Sequence, residues 1–370
     1  MSTFLKWVMI LINILAAFAL VLVKIGSLVS PNVLLFPAYA SLTLLPVLFI
    51  NIGFVLFWLF LRKWAFLISL LTLVIFSGVS KSALPVNFGE TKVDSGRQKI
   101  TVLSYNTMNT ALLKKHLEGN PNPVVKYVLD SKADIVCFQE LGISDFDHQF
   151  NKADFTKVFS IYPYKYVCYA LNQWNMHIGV AIMSKYPIIK KERIEYDSAF
   201  NLSIYSDVVI GNDTLRVICN HLESNRITAQ DMARTSKLKN NFDSDSLGSV
   251  TKYLGQKLSL AYKIRAKQVD IIAGVMKKSP YKLLVCGDFN DVPASYAYTT
   301  MKGKLKDAYR ETGNGLGWTF NQSFYRFRID YIMYDPSFQS ANFKIGKLKA
   351  SDHYPVQTDL YLSKKQKNFK

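Results

Sequence analysis

The sequence predicts an apolar helical leader followed by one α/β domain, and three observations point there. Three charge-free runs open the chain, at residues 7–23, 33–61 and 64–80. Beyond residue 98, short apolar runs bounded by polar residues alternate with stretches of helical period. Charge divides the chain at the same place. Of 45 Lys+Arg and 27 Asp+Glu (formal net +18), residues 1–81 hold five cations and no acid, which leaves net +13 on the other 289 residues. A composition 49% hydrophobic and 14% aromatic excludes a mainly disordered chain. Four Cys in 370 residues are too few for a disulfide scaffold.

The leader, residues 1–81, reads as a membrane anchor of three transmembrane helices. A helix needs about 20 apolar residues to cross ~30 Å of hydrocarbon. The first and third runs are near the lower limit, and flanking Lys can snorkel. Pro37 and Pro46 place the start of the second helix near residue 40 or later. A cleaved signal peptide followed by a hairpin is the competing reading. It lacks a small-x-small cleavage site after the first run, and two further runs follow at once. Trp7, Trp58 and Trp64 stand near span ends, where indole rings favour the interface. With three spans, Lys6, Arg62 and Lys63 share one side. The positive-inside rule then makes the chain a multi-pass protein of the inner (cytoplasmic) membrane with its body outside the cytoplasm.

Residues 82–98 read as a linker, with Pro, Gly and charge but no period. Buried strands are expected at Ile100–Ser104, Ile135–Phe138, Gly179–Met183, Leu215–Cys219, Leu283–Cys286 and Tyr331–Tyr334, each short and rich in Val, Ile, Cys or aromatics. Helical patterns cover Val124–Leu129 and Ser259–Met276. Residues 224–258 are polar and read as a long surface insertion. Cys137, Cys168, Cys219 and Cys286 fall in or beside apolar runs and read as small buried hydrophobes.

Where these runs stop, polar residues begin. Ile100–Tyr105 leads into Asn106, Ile135–Phe138 into Gln139–Glu140, Leu215–Cys219 into Asn220–His221, and Leu283–Cys286 into Gly287-Asp288-Phe289-Asn290. Asp330 opens another strand, and Asp352–His353 precedes Tyr354–Pro355. Open α/β sheets bind ligands outside strand ends. Asp288 and Asn290, two apart, share one face of an extended chain and can hold and polarise a water. Asp330 can orient a histidine through its far ring nitrogen. A lone Glu or His at a strand end is usually structural, and G-D-x-N alone is also a turn signal. Six such ends on separate strands are far harder to obtain by chance. His116 and His148 lack such a setting and read as surface residues.

The residues Ser104-Tyr105-Asn106, Phe138-Gln139-Glu140, Gly179–Pro187, Asn220-His221, Gly287-Asp288-Phe289-Asn290-Asp291, Arg328-Ile329-Asp330 and Ser351-Asp352-His353-Tyr354-Pro355 occur in this order over residues 100–357. Together they resemble the endonuclease/exonuclease/phosphatase superfamily, which includes pancreatic deoxyribonuclease, apurinic endonucleases, inositol-polyphosphate phosphatases and bacterial sphingomyelinases. Pro293–Tyr298 and Gly317–Phe320 look like its membrane-tethered bacterial members. The resemblance implies a four-layer sandwich of two mixed β-sheets flanked by helices over residues 99–370, and Mg²⁺ or Mn²⁺ as cofactor. It implies Glu140 as principal metal ligand with Asn106 and Asp352 beside it. Asp288 and Asn290 would position and deprotonate water. His353, oriented by Asp330, would face the scissile phosphate, and His221 would assist the leaving oxygen.

The chemistry is consistent with those roles. Phosphodiester hydrolysis needs a cation on the phosphoryl oxygens and a positioned water, and oxygen donors suit Mg²⁺. No Cys/His zinc spacing and no G-x-x-x-x-G-K-[ST] loop is present. The resemblance leaves one gap. The further Glu that supports the histidine in the pancreatic enzyme has no clear counterpart, and His177, in that neighbourhood, reads as either substrate-facing or structural. Arg226, Arg265 and Arg326 are candidate phosphate contacts. A net +13 body attracts polyanions, so the expected substrate is a phosphodiester, first in nucleic acid, with a phospholipid or small-molecule phosphoester as the alternative substrate and a non-catalytic membrane-tethered binding module as the alternative role. Residues 1–81 bring the membrane, and no feature calls for an obligate protein partner.

Overall fold

Apolar periodicity in the leader builds a small helical bundle. In the computed structural model it comprises α1 (Thr3–Leu28), α2 (Phe36–Ala40), α3 (Leu44–Phe60), α4 (Phe66–Ile75) and α5 (Ser77–Ala83). The structure describes residues 2–89, 91, 93, 96–198, 200–227, 231, 244–322 and 325–362. Pro37 sits at the start of α2, and Pro46 falls in the first turn of α3, where its missing N–H costs little. Two helical stretches, Thr3–Leu28 and Phe36–Phe60, are long and apolar enough to cross a membrane.

The third charge-free run corrects the expectation of three transmembrane helices. It bends by 71° between α4 and α5 and forms no single long helix. The break falls at Phe76-Ser77-Gly78, and Gly/Ser pairs are where helices kink.

The body begins at β1 (Lys99–Asn106) and α6 (Pro123–Asp130). It continues through β2 (Ile135–Ser144), α7 (Lys152–Val158), β3 (Tyr164–Gln173), β4 (Met176–Ser184), β5 (Ile188–Ile194), β6 (Ser203–Ile210) and β7 (Asp213–His221). After α8 (Ser244–Lys277) come β8 (Lys282–Asp288), α9 (Tyr296–Lys302), β9 (Lys306–Asp307), α10 (Ala308–Thr312) and the hairpin β10 (Phe320–Gln322)–β11 (Tyr325–Phe327). Then follow β12 (Asp330–Tyr334), β13 (Phe338–Ile345) and β14 (Val356–Leu362). One six-stranded sheet has the order β13-β14-β1-β2-β4-β3, the other β5-β6-β7-β8-β12-β9. The pairs β1/β2 and β7/β8 are parallel and the other described pairs antiparallel, so both sheets are mixed.

Side-chain alternation makes this a four-layer sandwich. Val102, Cys137, Val217, Cys219, Leu284, Cys286 and Ile332 meet between the sheets. Their sequence neighbours point outward. Leu103, Val136 and Phe138 pack under α6 and α7, while Ile218, Val285 and Met333 pack under α8 and α9. Cys137, Cys219 and Cys286 are buried, Cys168 is half-buried, and all four are free thiols, as hydrophobe-like roles require.

One sequence expectation changes. Residues 244–258 belong to α8 rather than to a surface insertion, while residues 228–230 and 232–243 of that stretch lie outside the described residues. The segment after α5 is tied to the body. Pro85 O accepts from Gly315 N (3.0 Å), and the Asn87 amide donates to Gly313 O (2.6 Å). Residues 90, 92, 94 and 95 of the expected linker lie outside the described residues.

The helical bundle seats directly on the sandwich. Ala294 is buried among Leu20, Val23, Leu44, Val47, Val79 and Ala83. Tyr39 donates to Gly255 O (2.8 Å) and packs edge-on to Tyr262, and Asn32 donates to Lys263 O (3.0 Å).

Candidate active site

The inward stripe of each central strand ends in a polar residue. Val102 leads at two-residue intervals to Asn106, Val217 and Cys219 to His221, Leu284 and Cys286 to Asp288, and Ile332 back to Asp330. These four side chains therefore meet at one end of the space between the sheets, and all are buried. Glu140 breaks the alternation. By parity it would face outward with Phe138, but the β2/β4 register shifts between Phe138 and Leu141, and Glu140 takes φ +49°. The bulge aims its carboxylate at Asn106 and His221.

Gly287 permits the close approach of β7 and β8. A Cβ there would lie 2.0 Å from Asn220 O, and its φ is +137°. Backbone strain gathers beside the site. Asn290 (φ +52°) is left-handed, as is the whole turn Met108–Leu113 (φ +45° to +61°), at roughly 1–2 kcal/mol per non-Gly residue. Thr107 caps that turn through Thr110 N.

Asp288 is the hub. Its Oδ2 accepts from Asn106 Nδ2 (3.0 Å) and lies 3.6 Å from His353 Nε2 and 3.9 Å from His221 Nε2. Its Oδ1 accepts from Asn290 N (2.8 Å), and Asn290 Nδ2 donates to Leu222 O (2.9 Å). Asn106 Nδ2 also donates to Glu140 Oε1 (3.3 Å), which lies 3.6 Å from His221 Nε2. His353 Nδ1 pairs with Asp330 Oδ2 at 2.9 Å. Asp352, half-buried, receives the Ser351 hydroxyl's second contact (3.3 Å), after Asn106 O (2.8 Å). All eight residues singled out in the sequence thus gather in one cluster.

The two histidines have opposite electrostatics. Burial alone would lower the pKa of His353, but Asp330 and Asp288 outweigh it and hold it up at about 10. Burial dominates at His221 and lowers it, against the pull of Asp288. At neutral pH the site therefore offers an imidazolium and a neutral imidazole. Burial raises the Asp288 carboxyl, with Asp330 adding to it, while His353 and His221 pull it back down. Glu140 is raised first by burial and then by Asp352 and Asp330, against His353.

The donor set suits a hard cation. Four carboxylates crowd one cleft, and Asp330 Oδ1 is buried without a hydrogen-bond partner. Ligand atoms of Asp288, Asp330 and His353 lie within 4.8 Å of one another. His353, an imidazolium between two carboxylates, has no lone pair to give in that state. Glu140 and His221 also line a cavity of about 180 Å³ whose walls include Ile178, Val180, Phe200 and Leu202.

Other candidates fall outside the cluster. Arg265 is fully buried and bound to Asp291 (2.7 Å), Glu223 O and Asn225, so it is an internal ion pair rather than a phosphate contact. Arg226 pairs with Glu223 (2.6 Å), and the exposed Arg326 stacks over Trp318 at 5.2 Å. His177 binds Asn172 and Asp145, which accounts for both ring nitrogens. His116 accepts from Asn122 N and His148 stacks on Phe146. Thr319 was not legible as a site residue. Its hydroxyl accepts from both Ile329 N (3.0 Å) and Asp330 N (3.1 Å), and its carbonyl accepts from Tyr354 N (2.7 Å), so it locks Asp330 to the His353 loop. No spacing rule flags a lone Thr before a short hairpin.

A sequence model described as the Endonuclease/Exonuclease/phosphatase family matches residues 103–353, which span every residue of this cluster. The chain belongs to that family. Its members hydrolyse phosphoester bonds, typically phosphodiesters, and are commonly dependent on divalent metals. A second model, described as a domain of unknown function, matches residues 6–82. Among solved structures, an endonuclease/exonuclease/phosphatase from Beutenbergia cavernae is similar at 17% identity and TM-score 0.50, over 72% of each chain. The catalytic domain of human nocturnin with bound sulfate is similar at 15% identity and TM-score 0.49, over 75% of this chain and 97% of that one. A family protein from Bacteroides thetaiotaomicron is similar at 16% identity and TM-score 0.46, over 72% of this chain and 99% of that one. No curated protein matches the chain.

Proposed function

We propose that the protein is a divalent-metal-dependent phosphodiesterase tethered to a membrane by residues 1–81, with residues 99–370 as its catalytic domain and nucleic acid as its first candidate substrate. The observation that carries this is the His353–Asp330 pair set opposite Asp288, with Glu140, Asn106 and Asp352 around the same cleft. Glu140, with Asn106 and Asp352 beside it, would hold Mg²⁺ or Mn²⁺. Bound there, the ion supplies charge to the phosphoryl oxygens.

The remaining work falls to the chain. Asp288, lifted by burial and tied to Asn290, accepts a proton from the attacking water. His353, kept charged by Asp330, donates to the scissile phosphate. His221, neutral and 3.6 Å from Glu140, stands by the leaving oxygen.

One observation favours a second reading, a phospholipid substrate. The cavity beside Glu140 and His221 has apolar walls, and Phe200 there is 63% exposed. Trp318 and Arg326 share a recess with Leu42, Leu44 and Leu45 of the leader. The test is turnover by the full chain in detergent, with Mg²⁺, Mn²⁺ or chelator, on single-stranded DNA, RNA and phospholipid vesicles. Metal-dependent cleavage of the nucleic acids and not the vesicles is expected. Cleavage of the vesicles alone would select the second reading, and chelator-resistant turnover would overturn the metal assignment.

A further inference from the structure

A second polar cavity lies away from the catalytic cluster, where the helical bundle meets the sandwich. It measures about 230 Å³, well above the roughly 10–15 Å³ that holds one water. The bend between α4 and α5 lies against it, and Ile75, Phe76 and Val79 form its apolar wall. Three cations converge on it from separate elements: Lys24 from the last turns of α1, Lys302 from the end of α9 and Arg310 from α10. Among the described residues no carboxylate lines it.

The three cations lack anionic partners. Among the described residues none makes an ion pair. Lys302 Nζ reaches only Gly303 O at 3.5 Å, and Arg310 Nη1 donates to Ser82 Oγ at 3.3 Å while its Nε is buried without a partner. Burial, and then the Arg310 charge, lower the Lys302 pKa. The carboxylates that act on it from a distance are Asp307 and Glu311. Asp307 is already bound to Arg328 (2.9 Å) and Tyr298 (2.8 Å). Like charges brought together over an apolar wall, at the end of a helix long enough to span a membrane, suit an anion that arrives with a hydrocarbon tail.

We propose that this cavity binds the phosphate group of an anionic membrane lipid, with Lys24, Lys302 and Arg310 as its cations and α4–α5 as the wall along which the acyl chains leave. The site is independent of the catalytic reading. It would fasten the sandwich to the bilayer at the point where the two halves of the molecule meet.

The experiment is a thermal-shift titration of the full chain in neutral detergent. The probes are short-chain phosphatidylglycerol, short-chain phosphatidylcholine and inorganic phosphate. Phosphatidylglycerol should raise the unfolding temperature at concentrations where the other two do not. Lys302→Gln, whose only bond is weak, should weaken the response about fivefold, the increment of one cation near an anionic lipid, and Lys24→Gln by a similar factor. His353→Ala should respond like the unaltered chain. An undiminished response in both Gln variants would overturn the site. Loss of the response in His353→Ala would reassign it to the catalytic cluster. Equal protection by inorganic phosphate would overturn the lipid as its carrier.

Discussion

The helical bundle and the sandwich bury opposite things. In the bundle, Leu15, Phe60, Leu71 and Ile75 face outward, more than half exposed, while Asn13, Asn51 and Ser69 are buried at its centre. The Ser69 hydroxyl donates to Asn51 Oδ1 (2.8 Å), and the Asn51 amide donates to Ala16 O (3.0 Å). In the sandwich, the apolar stripes face inward and polar groups are buried at the ends of the stripes. Where the surroundings are hydrocarbon, apolar contact gives no drive for association, and small or polar residues hold helices together. Where the surroundings are water, a buried carboxylate costs stability unless it is paired, as Asp291 is by Arg265, and several crowded into one cleft mark a candidate place for chemistry. On the proposed reading, buried polar groups serve assembly in the bundle and catalysis at the strand ends of the sandwich, and mutation can separate the two.

The largest effects should belong to the proposed catalytic cluster. His353→Ala and Asp288→Asn should each lower turnover by about 10²–10⁴-fold, the range for a positioned acid or base, while the full chain still folds, His353→Ala with a lower unfolding temperature because buried Asp330 loses its partner. Chelation should reproduce the loss reversibly, with Mg²⁺ or Mn²⁺ restoring it. Near-normal rates in either variant would break the distinction, because these polar groups would then serve the fold alone.

Much of this cluster is legible in the sequence. Period-2 alternation places Asn106, His221, Asp288 and Asp330 on inward stripes, so a polar residue ending an apolar run already points at the site. Glu140 was found by its position, yet its aim depends on a bulge and a positive φ that no pattern in the sequence announces. Buried strands such as β2 and β8 read clearly from charge-free runs. An edge strand such as β5 does not, because Lys190, Lys191 and Glu192 face solvent there and break the apolar signal. Arg265 misled for a related reason. A fully buried guanidinium is made tolerable by Asp291, Glu223 O and Asn225 Oδ1, groups 26, 42 and 40 residues away that no local reading can pair.

That ion pair is the next test, since it lies where the two regions meet. Pro31, Ala38 and Ser41 of the leader share a small cavity with Arg265 and Asp291. Arg265→Met should cost about 3–5 kcal/mol, because it leaves Asp291 buried without its partner. The readout is the unfolding temperature of the full chain. A variant as stable as the parent would mean that water or the leader reaches Asp291, and that the junction is looser than its packing.

Gly287→Ala probes the sandwich alone. The added Cβ meets Asn220 O at 2.0 Å in a backbone of φ +137°, so β7 and β8 must part. A loss of about 1–3 kcal/mol is expected. Turnover should fall further than stability, because His221 and Asp288 end those same two strands. Proportionate losses in both would count against the strand ends as the origin of the site geometry.

The smallest effect should come from the bundle, and it sharpens the comparison most. Asn51→Leu replaces a buried amide by an apolar side chain of similar size and removes the bonds to Ser69 and Ala16 O. In a membrane-like surrounding such bonds contribute only about 0.6–2 kcal/mol, since the separated helices also find partners. The variant should unfold a few degrees earlier in detergent while its turnover at saturating substrate stays unchanged. A loss of turnover without loss of stability would show that the bundle shapes the active site through Ser82, whose carbonyl binds Arg328 at 2.6 Å, two residues from Asp330. The two regions would then be one catalytic unit, and polar burial in the helices would carry the same meaning as in the sandwich.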